Sequence, residues 1–344
     1  MEKPLLICLT PIKDEAWILE RFLKCTSVWA DHIIIADQQS KDQSKEIAHR
    51  FPKVTLIENN SGTYSEPERQ QLLIREARKI PGPKILMTLD ADEFLTANFL
   101  TSSEWETVLR APQGTVIRLQ RLEVFVETSG LCYLNFLWDF PIGFVDDGTE
   151  HKGPTIHSAR IPIKAGAPTI MPTQMKMMHY CLVDRERFKS KIRWYQCFEY
   201  LNTKKKPIEL YRSYNQDLIG PSSAIAPVPR EWLQGYEERG IDMSSIQRQG
   251  AYYWDNEVLQ LLEKYGAARF KKLDIWDANW TELHREFYPQ EPEKTIADPR
   301  RLSHRVVHKW LRLTQPDFSR CATGRAGRLR IYRTVQKALA LWGW

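Results

Sequence analysis

The chain has 344 residues, of which 42% are hydrophobic and 27% charged, and its formal net charge is +6. This composition is ordinary for a globular protein, and the length allows one large domain with an appendage or two modest domains. No apolar run approaches the roughly 18–20 residues that a membrane-spanning helix needs. The amino terminus enters a short strand-like run without the pattern of a signal peptide, so we expect a cytoplasmic protein.

The first 95 residues alternate between short apolar runs and segments with helical periodicity. The apolar runs predict strands at Leu5–Leu9, His32–Ala36, Val54–Ile57 and Lys84–Leu89. The periodic segments predict helices over roughly residues 15–28, 43–50 and 66–79. This order is typical of a parallel sheet with crossover helices, so the sequence predicts an α/β fold.

After residue 95 the pattern is less regular. It predicts a strand at Thr115–Arg121, a polar loop at Asp146–Pro154 and a strand within Met171–Tyr180. From Arg185 onward helical periodicity dominates. We therefore expect one domain over residues 1–200 and a mainly helical C-terminal region over residues 201–344.

An acidic cluster, Asp90-Ala91-Asp92-Glu93, directly follows the fourth predicted strand. Carboxylates at positions i and i+2 of a strand point to the same side. Hard oxygen ligands suit Mg²⁺ or Mn²⁺, ions that neutralise a diphosphate. Parallel sheets bind ligands at the carboxyl ends of their strands, where Thr10 and Asp37 also lie. The cluster therefore predicts a metal site for a nucleotide-activated substrate, and helix capping by the two aspartates is the alternative.

Three segments, Thr10–Glu15, Asp37–Asp42 and Asp90–Phe94, together resemble the family-2 glycosyltransferases with a GT-A fold, in particular the subgroup with a DxDEF motif. The resemblance covers about the first 95 residues and a second patch around residues 175–195. It implies a Rossmann-like, mostly parallel sheet with flanking helices. The second segment of this family reads Asp-Asp-x-Ser-x-Asp, and here Gln38 replaces the second acid, which often contacts the base.

The resemblance also implies roles for individual residues. The resemblance implies that the nucleotide-sugar is bound by Thr10, Asp37, Arg69, Asp90 and Lys191. It also implies that Mn²⁺ or Mg²⁺ is bound by Asp90, Asp92 and His179. A salt bridge to Glu66 or Glu68 is the alternative for Arg69, and a structural role in the core is the alternative for His179.

The catalytic base is expected among three acids in the polar loop, Asp146, Asp147 and Glu150. Attack by a sugar hydroxyl needs a carboxylate within hydrogen-bond reach of that hydroxyl. A loop after the metal motif is the expected region for such a carboxylate, and Asp147 is the first choice. An ordinary solvated loop is the alternative.

The resemblance implies a glycosyltransferase that moves a sugar from a UDP-sugar to an acceptor hydroxyl with inversion, in cell-surface glycan or polysaccharide biosynthesis. One rival is a nucleotidyltransferase of similar fold. Such an enzyme normally carries a Gly-rich loop after its first strand, and Thr10–Asp14 contains no glycine. The other rival is a non-catalytic nucleic-acid-binding protein, which leaves the acidic cluster unexplained.

The end of the chain is strongly basic. Residues 298–344 contain eleven Lys or Arg residues against Asp298 and Asp317. Trp and Leu are mixed with these cations, a composition typical of helices that lie in an anionic membrane interface. We therefore expect a peripheral protein at the inner membrane face with a glycan or lipid-linked acceptor, and a solvated helical face is the alternative.

Overall fold

The structure, a computed structural model, describes residues 3–62, 64–134, 138–215, 225–247, 250–292, 294–318 and 326–344. By its internal contacts the chain divides into two compact units. The first unit comprises residues 1–183 and 226–248, and the second comprises residues 184–225 and 249–344. The boundary predicted at residue 200 lies within the helix Arg185–Asn202. The two functional domains predicted from the sequence stay a prediction.

The amino-terminal part alternates strand and helix as the sequence predicts. In chain order its elements are β1 (Leu5–Ile12), α1 (Ala16–Thr26), β2 (His32–Asp37), α2 (Ser44–His49), β3 (Val54–Glu58), α3 (Glu66–Arg78) and β4 (Lys84–Thr88). The largest difference concerns β1, which continues past its predicted end at Leu9. Thr10 is therefore a strand residue and not part of the loop that follows.

The rest of the chain adds short strands and then helices. In chain order these are β5 (Glu93–Leu95), α4 (Ser103–Leu109), β6 (Val116–Glu127), β7 (Gly130–Leu134), β8 (Trp138–Val145), β9 (Thr169–Ile170), β10 (Lys176–His179), α5 (Arg185–Asn202), α6 (Pro207–Tyr214), β11 (Ile225–Pro227), α7 (Gln234–Glu237), α8 (Tyr253–Tyr265), α9 (Trp280–Phe287), α10 (Leu302–Phe318) and α11 (Ala326–Leu341). The strand predicted within Met171–Tyr180 is β10.

The sheet of the first unit has the strand order β3–β2–β1–β4–β8–β6–β7. β1 pairs in parallel with β2 and with β4, and β2 pairs in parallel with β3. The carboxyl ends of these four strands therefore share one edge of the sheet. β8 runs antiparallel to β4, with Val145 beside Ile85. Short β10 lies between β5 and β6, where His179 is opposite both Glu93 and Glu123.

Both faces of this sheet are covered by helices. On β2, Ile33 and Ile35 belong to the apolar cluster that contains Phe22 of α1. Ile34 points to the other face and joins the cluster that contains Leu73 of α3. Burial on both faces explains why the strands read as continuous apolar runs. The predicted fold class is confirmed: the protein is α/β, with a Rossmann-like, mostly parallel sheet and flanking helices.

The second unit is mainly helical, as predicted for the C-terminal region. α5 packs against α6 and α8, and α10 packs against α6 and α11. A small apolar cluster of Ile208, Tyr211, Leu311 and Trp344 joins α6, α10 and the chain end. In the described part of the chain, no helix combines the length and the apolar character that crossing a bilayer requires.

Candidate active site at the carboxyl edge of the sheet

The acidic cluster forms a turn at the carboxyl end of β4. The strand ends at Thr88, and the amide of Glu93 donates to the carbonyl of Asp90 over 3.0 Å. The amide of Asp90 in turn donates to Oε2 of Glu93 over 3.0 Å. The expectation that Asp90 and Asp92 share one face of a strand is therefore wrong, because the strand has already ended. The turn lets the two carboxylates meet different partners.

Asp90 faces an arginine from the long connection between β8 and β9. Nη2 of Arg160 donates to Oδ2 of Asp90 over 2.6 Å and to Oε1 of Glu93 over 3.1 Å. Nη1 of Arg160 also contacts Oε2 of Glu93. Burial acts to lower the pKa of Arg160, but the charges of Asp90 and Glu93 outweigh it and raise that pKa. One guanidinium group thus neutralises part of the acidic turn.

A second arginine lies beside the first. Nη2 of Arg121, on β6, lies 3.0 Å from Oε1 of Glu123. The guanidinium carbons of Arg121 and Arg160 lie 4.9 and 5.0 Å from the ring centroid of Phe140. These distances fit cation–π contacts. Guanidinium groups are suited to planar, two-point contacts with phosphate oxygens, so the pair adds phosphate-binding chemistry next to the acidic turn.

Asp92 faces His179, the last residue of β10. Oδ2 of Asp92 lies 3.5 Å from Nε2 of the imidazole. On the other side of the ring, Nδ1 lies 2.6 Å from Oε2 of Glu123. A carboxylate behind a histidine fixes the ring orientation and leaves the second nitrogen for a metal. Glu123 therefore positions His179 so that Nε2 points to Asp92.

The ionisation of these groups follows from burial and charge. Burial acts to raise the pKa of Glu123, but the charges of His179 and Arg121 hold it at about 2. Burial acts to lower the pKa of His179, and the neighbouring Cys181, Glu123 and Asp92 raise it well above its usual value. Burial raises the pKa of the Cys181 thiol to about 12. Without a metal the imidazole is therefore charged, and the thiol keeps its proton.

Two sets of side chains have the chemistry of a metal site. In the first set, Glu123, His179 and Cys181 each offer a ligand atom, and these atoms lie within 4.8 Å of one another. The oxygens of Glu123 are already engaged, however, with Oε2 accepting from Nδ1 of His179 and from the thiol, and Oε1 lying 3.0 Å from Arg121. The protonated thiol is also a poor ligand.

The second set is Asp92 and Nε2 of His179, which lie 3.5 Å apart and also have the chemistry of a divalent-cation site. Carboxylate oxygen and imidazole are donors that suit Mn²⁺, and carboxylate oxygen suits Mg²⁺. The charges agree with this fit. Around this site the carboxylates are Asp90, Asp92, Glu93 and Glu123, and the guanidinium groups are Arg121 and Arg160. Once His179 is neutral, four negative and two positive charges leave an excess of −2, which a divalent cation balances.

The loops after β1 and β2 interlock at the same edge. The amide of Asp14 donates to Oγ of Ser40 over 2.9 Å, and the amide of Lys41 donates back to Oδ1 of Asp14 over 2.6 Å. The amide of Ala16 donates to Oδ2 of Asp42 over 2.9 Å. Asp14 has φ = 52°, a left-handed conformation that these bonds hold in place. The motif acids Asp14 and Asp42 thus build the rim of the site.

Asp37 and Thr10, the predicted nucleoside contacts, are both buried. Oδ2 of Asp37 accepts from the amide of Ser40 over 3.2 Å and lies 3.4 Å from Nζ of Lys45. The hydroxyl of Thr10 lies 3.5 Å from the sulfur of Cys8. Asp37 therefore supports the loop that follows β2, and Thr10 lies beneath the rim because β1 extends beyond it.

Arg69, near the start of α3, does reach the carboxyl edge. Its Nη1 donates to Oε1 of Gln38 over 3.1 Å, and its guanidinium carbon lies 5.9 Å from the ring centroid of Tyr64. Glu66, one alternative partner considered from the sequence, accepts from the Tyr64 hydroxyl over 2.9 Å. Arg69 thus meets the residue that replaces the second acid of the family motif.

The polar loop that was expected to supply the base begins at the opposite edge of the sheet. Because β8 is antiparallel to β4, the amide of Asp146 donates to the carbonyl of Lys84, the first residue of β4, over 3.0 Å. Asp146 pairs with Arg78 over 2.8 Å, and Asp147 pairs with Lys164 over 2.7 Å.

The structure therefore does not bring Asp146 and Asp147 to the acidic turn. Glu150 is exposed farther along the same loop. Lys191 belongs to the second unit, where its Nζ lies 5.7 Å from the ring centroid of Trp254. The roles predicted for these residues stay predictions.

Three residues of the site were not predicted from the sequence: Arg121, Glu123 and Arg160. Arg121 and Glu123 did carry a signal, because two oppositely charged residues at positions i and i+2 share one face of a strand. Arg160 lies in a long irregular connection, where no periodicity indicates its position.

No protein-family model and no curated protein sequence matches the chain. Many solved structures show some likeness. Glucosyl-3-phosphoglycerate synthase from Mycobacterium tuberculosis, in complex with phosphoglyceric acid, is 14% identical over 35% of this chain and 44% of its own, with a TM-score of 0.26. 4-Diphosphocytidyl-2C-methyl-D-erythritol synthase is 12% identical over 43% of this chain and 77% of its own, with a TM-score of 0.30.

HddC from Yersinia pseudotuberculosis is 9% identical over 51% of this chain and 93% of its own, with a TM-score of 0.31. The match to the mycobacterial synthase spans less than half of that protein. At these TM-scores the likenesses carry no argument about the fold or activity of this chain.

Proposed function

We propose that the protein is a metal-dependent glycosyltransferase that moves a sugar from a nucleotide-sugar to an acceptor hydroxyl. The observation that carries the proposal is the pair Asp92 and His179, whose Oδ2 and Nε2 atoms face each other across 3.5 Å with Glu123 behind the imidazole. The pair lies at the carboxyl edge of the sheet, close to the point between β1 and β4 where the strand order reverses. Open α/β sheets bind their ligands at this point.

Asp92 and His179 would hold Mn²⁺ or Mg²⁺, with Asp90 beside them. Such an ion, when bound, neutralises the diphosphate and stabilises the nucleoside diphosphate as it leaves. Arg121 and Arg160 would bind phosphate oxygens, because their guanidinium groups lie next to the acidic turn. Glu123 would keep Nε2 of His179 directed at the site.

The nucleoside would lie over the rim formed by the loops after β1 and β2. Arg69 and Gln38 are its nearest proposed contacts, because both lie at this edge and Arg69 donates to Gln38. Asp37 would act by holding the loop after β2, and Thr10 by packing beneath it. Lys191 remains a proposed phosphate contact on the sequence resemblance alone. A uridine nucleotide and inversion at the anomeric carbon rest on the same resemblance.

The proposal assigns no proton transfer to Asp146 or Asp147. A base must lie within hydrogen-bond reach of the acceptor hydroxyl, and both residues begin a loop at the other edge of the sheet, where each pairs with a cation. Glu150, the third member of the predicted trio, is exposed and stays the proposed candidate for the base.

For the biological setting we propose cell-surface glycan or polysaccharide biosynthesis at the cytoplasmic face of a membrane, with a lipid-linked acceptor. The support for this setting is the outer surface of α10 and α11, which combines exposed cations with exposed apolar side chains.

A panel of nucleotide-sugars tests the activity. Each donor is added with Mn²⁺ or Mg²⁺ to the wild-type protein, to Asp92→Asn and to a matched control, Asp139→Asn, whose carboxylate is exposed on β8. Donor at 100 times its dissociation constant adds about 2.7 kcal/mol of stability. We expect metal-dependent stabilisation and donor hydrolysis in the wild type and the control, and neither in Asp92→Asn.

Two results would overturn the proposal. If no nucleotide-sugar stabilises the wild-type protein with either metal, the glycosyltransferase is excluded. If the protein releases pyrophosphate from a nucleoside triphosphate and turns over no nucleotide-sugar, it is a nucleotidyltransferase.

A further inference from the structure

The inner faces of α10 and α11 are already packed against other residues of the second unit. Leu311 of α10 and the terminal Trp344 are buried against Ile208 and Tyr211. Nζ of Lys272 donates to the carbonyls of residues 342 and 343 over 2.8 and 3.0 Å. The chain end is therefore fixed, and the outer faces of the two helices are not needed to close this core.

The outer face of α10 carries a stripe of exposed apolar residues. Leu302, Val306 and Leu313 expose 78%, 58% and 69% of their surface. At 3.6 residues per turn these three positions lie within about 40° of one another around the helix. Beside the stripe, the exposed cations are Arg301, Arg305, Lys309 and Arg312. Arg305 also pairs with Asp298 over 3.0 Å.

α11 and the chain end repeat this combination. Ile331 and Val335, one turn apart on α11, expose 63% and 38% of their surface, and Leu341 and Trp342 expose 86% and 80%. The exposed cations of α11 are Arg328, Arg330, Arg333 and Lys337. The sequence from Phe318 to the end contains no Asp or Glu. The surface is thus positive and apolar along both helices.

The combination of exposed cations and exposed apolar side chains favours one class of partner over the others. A nucleic acid would neutralise the cations but leave Leu302, Leu313 and Trp342 in water. A second copy of the same surface would bring like charges together, which opposes association. An anionic bilayer satisfies both features, because lipid headgroups meet the cations while the apolar side chains enter the acyl boundary. Trp is also favoured at that boundary.

We infer that the outer surface of α10 and α11, defined by the exposed residues named above, docks on an anionic lipid bilayer. The bilayer would be the partner of the proposed glycosyltransferase. Only the biological purpose of docking depends on that proposed function. Docking requires neither donor nor metal, so the two claims fail separately.

Vesicle co-sedimentation of the full chain tests the inference without donor or metal. The vesicles are pure phosphatidylcholine, or phosphatidylcholine with about one third phosphatidylglycerol. A charge variant carries Arg301→Gln, Lys309→Gln and Lys337→Gln, and an apolar variant carries Leu302→Ser, Leu313→Ser and Trp342→Ser. A matched control removes three exposed cations of the first unit with Arg50→Gln, Lys79→Gln and Arg110→Gln. All the substituted side chains are exposed, and circular dichroism verifies that each variant is folded.

We expect binding to the anionic vesicles alone, weakened by 0.5 M salt because the charges are screened. The charge variant and the apolar variant should each bind at least about tenfold more weakly, while the control binds as the wild type does. Equal binding by all four proteins, or no binding to anionic vesicles, overturns the inference. So does dimerisation through this surface, or a gel shift with nucleic acid that the charge variant loses while vesicle binding is absent.

Discussion

His179 and Asp92 face each other across 3.5 Å between Nε2 and Oδ2, although they belong to different strands and turns of the first unit. The pairing of β10 with β5 and β6 brings them together, because it places His179 opposite both Glu93 and Glu123. The pairing of these strands thus brings two metal donors together, the carboxylate of Asp92 and the imidazole of His179. Neither sequence position indicates this closeness by itself.

Replacing Glu123 with Gln should weaken Mn²⁺ binding by roughly 10- to 100-fold, because the imidazole loses the carboxylate that orients it. The measurement is a Mn²⁺ titration followed by electron paramagnetic resonance. Glu106→Gln, an exposed substitution on α4, is the matched control and should bind as the wild type does. An unchanged affinity in Glu123→Gln would show that Glu123 does not position His179.

Replacing Arg160 with Gln should have two opposite effects on binding. Removing the guanidinium takes one positive charge away from Asp90 and Glu93, so the affinity for Mn²⁺ without nucleotide should rise, while the affinity for a nucleoside diphosphate should fall. Calorimetric titrations of both ligands provide the test. The loss of a buried partner of Glu93 should also lower the free energy of unfolding by about 3 kcal/mol. A fall in both affinities, in a folded variant, would argue against competition between Arg160 and the metal.

Asp147→Asn should leave donor binding unchanged and affect stability alone. Burial acts to raise the pKa of Asp147, but Lys164 and Thr149 hold it at about 2. The carboxylate therefore stabilises the fold above its ordinary pKa of 3.8, and this contribution is lost as the pH falls toward 2. Because Lys164 is largely exposed, we expect a cost of at most about 1 kcal/mol in urea unfolding at pH 7. Loss of turnover with intact donor binding would instead restore Asp147 as the base.

The stability of the second unit should depend on His308 of α10. Nδ1 of His308 lies 3.1 Å from Nη1 of Arg300, which donates to it, and Nε2 lies 3.0 Å from the carbonyl of Lys272. Burial lowers the pKa of His308 from 6.5 to about 4, so the folded protein disfavours the charged imidazole. The unfolded chain binds more protons between these values, and stability is therefore full above pH 6.5 and falls toward pH 4.

The expected loss is about 3 kcal/mol between pH 7 and pH 4 from this residue. Urea unfolding of the wild type and of His308→Gln at a series of pH values measures it, since the amide can donate and accept but does not titrate. The difference in stability between the two proteins should shrink or change sign as the pH falls. A constant difference over this range would contradict the assignment.

The alternation of strands and helices over the first 95 residues could be predicted because β1, β2 and β4 are almost fully buried on both faces and turns separate the helices from the strands. The position of the acidic turn at the carboxyl edge followed from the same pattern. The conformation of the turn did not, because the bond from Glu93 to the carbonyl of Asp90 depends on partners brought by β10 and Arg160.

The loop Asp146–Pro154 shows why Asp146 and Asp147 do not lie at the acidic turn. The location of this loop depends on the antiparallel pairing of β8 with β4. The direction of a strand that follows a long connection cannot be read from the local periodicity of the sequence. Arg160 lies farther along the connection between β8 and β9, and its guanidinium group does reach the acidic turn. Nothing in the sequence indicated this contact either.

The most direct test of the account is Mn²⁺ binding in the presence of UDP, measured by electron paramagnetic resonance for the wild type, Asp92→Asn, His179→Gln and the control Asp139→Asn. We predict one bound ion in the wild type and the control, with an affinity at least about tenfold lower in Asp92→Asn and in His179→Gln. Equal affinities in all four proteins would contradict the claim that Asp92 and His179 hold the cation.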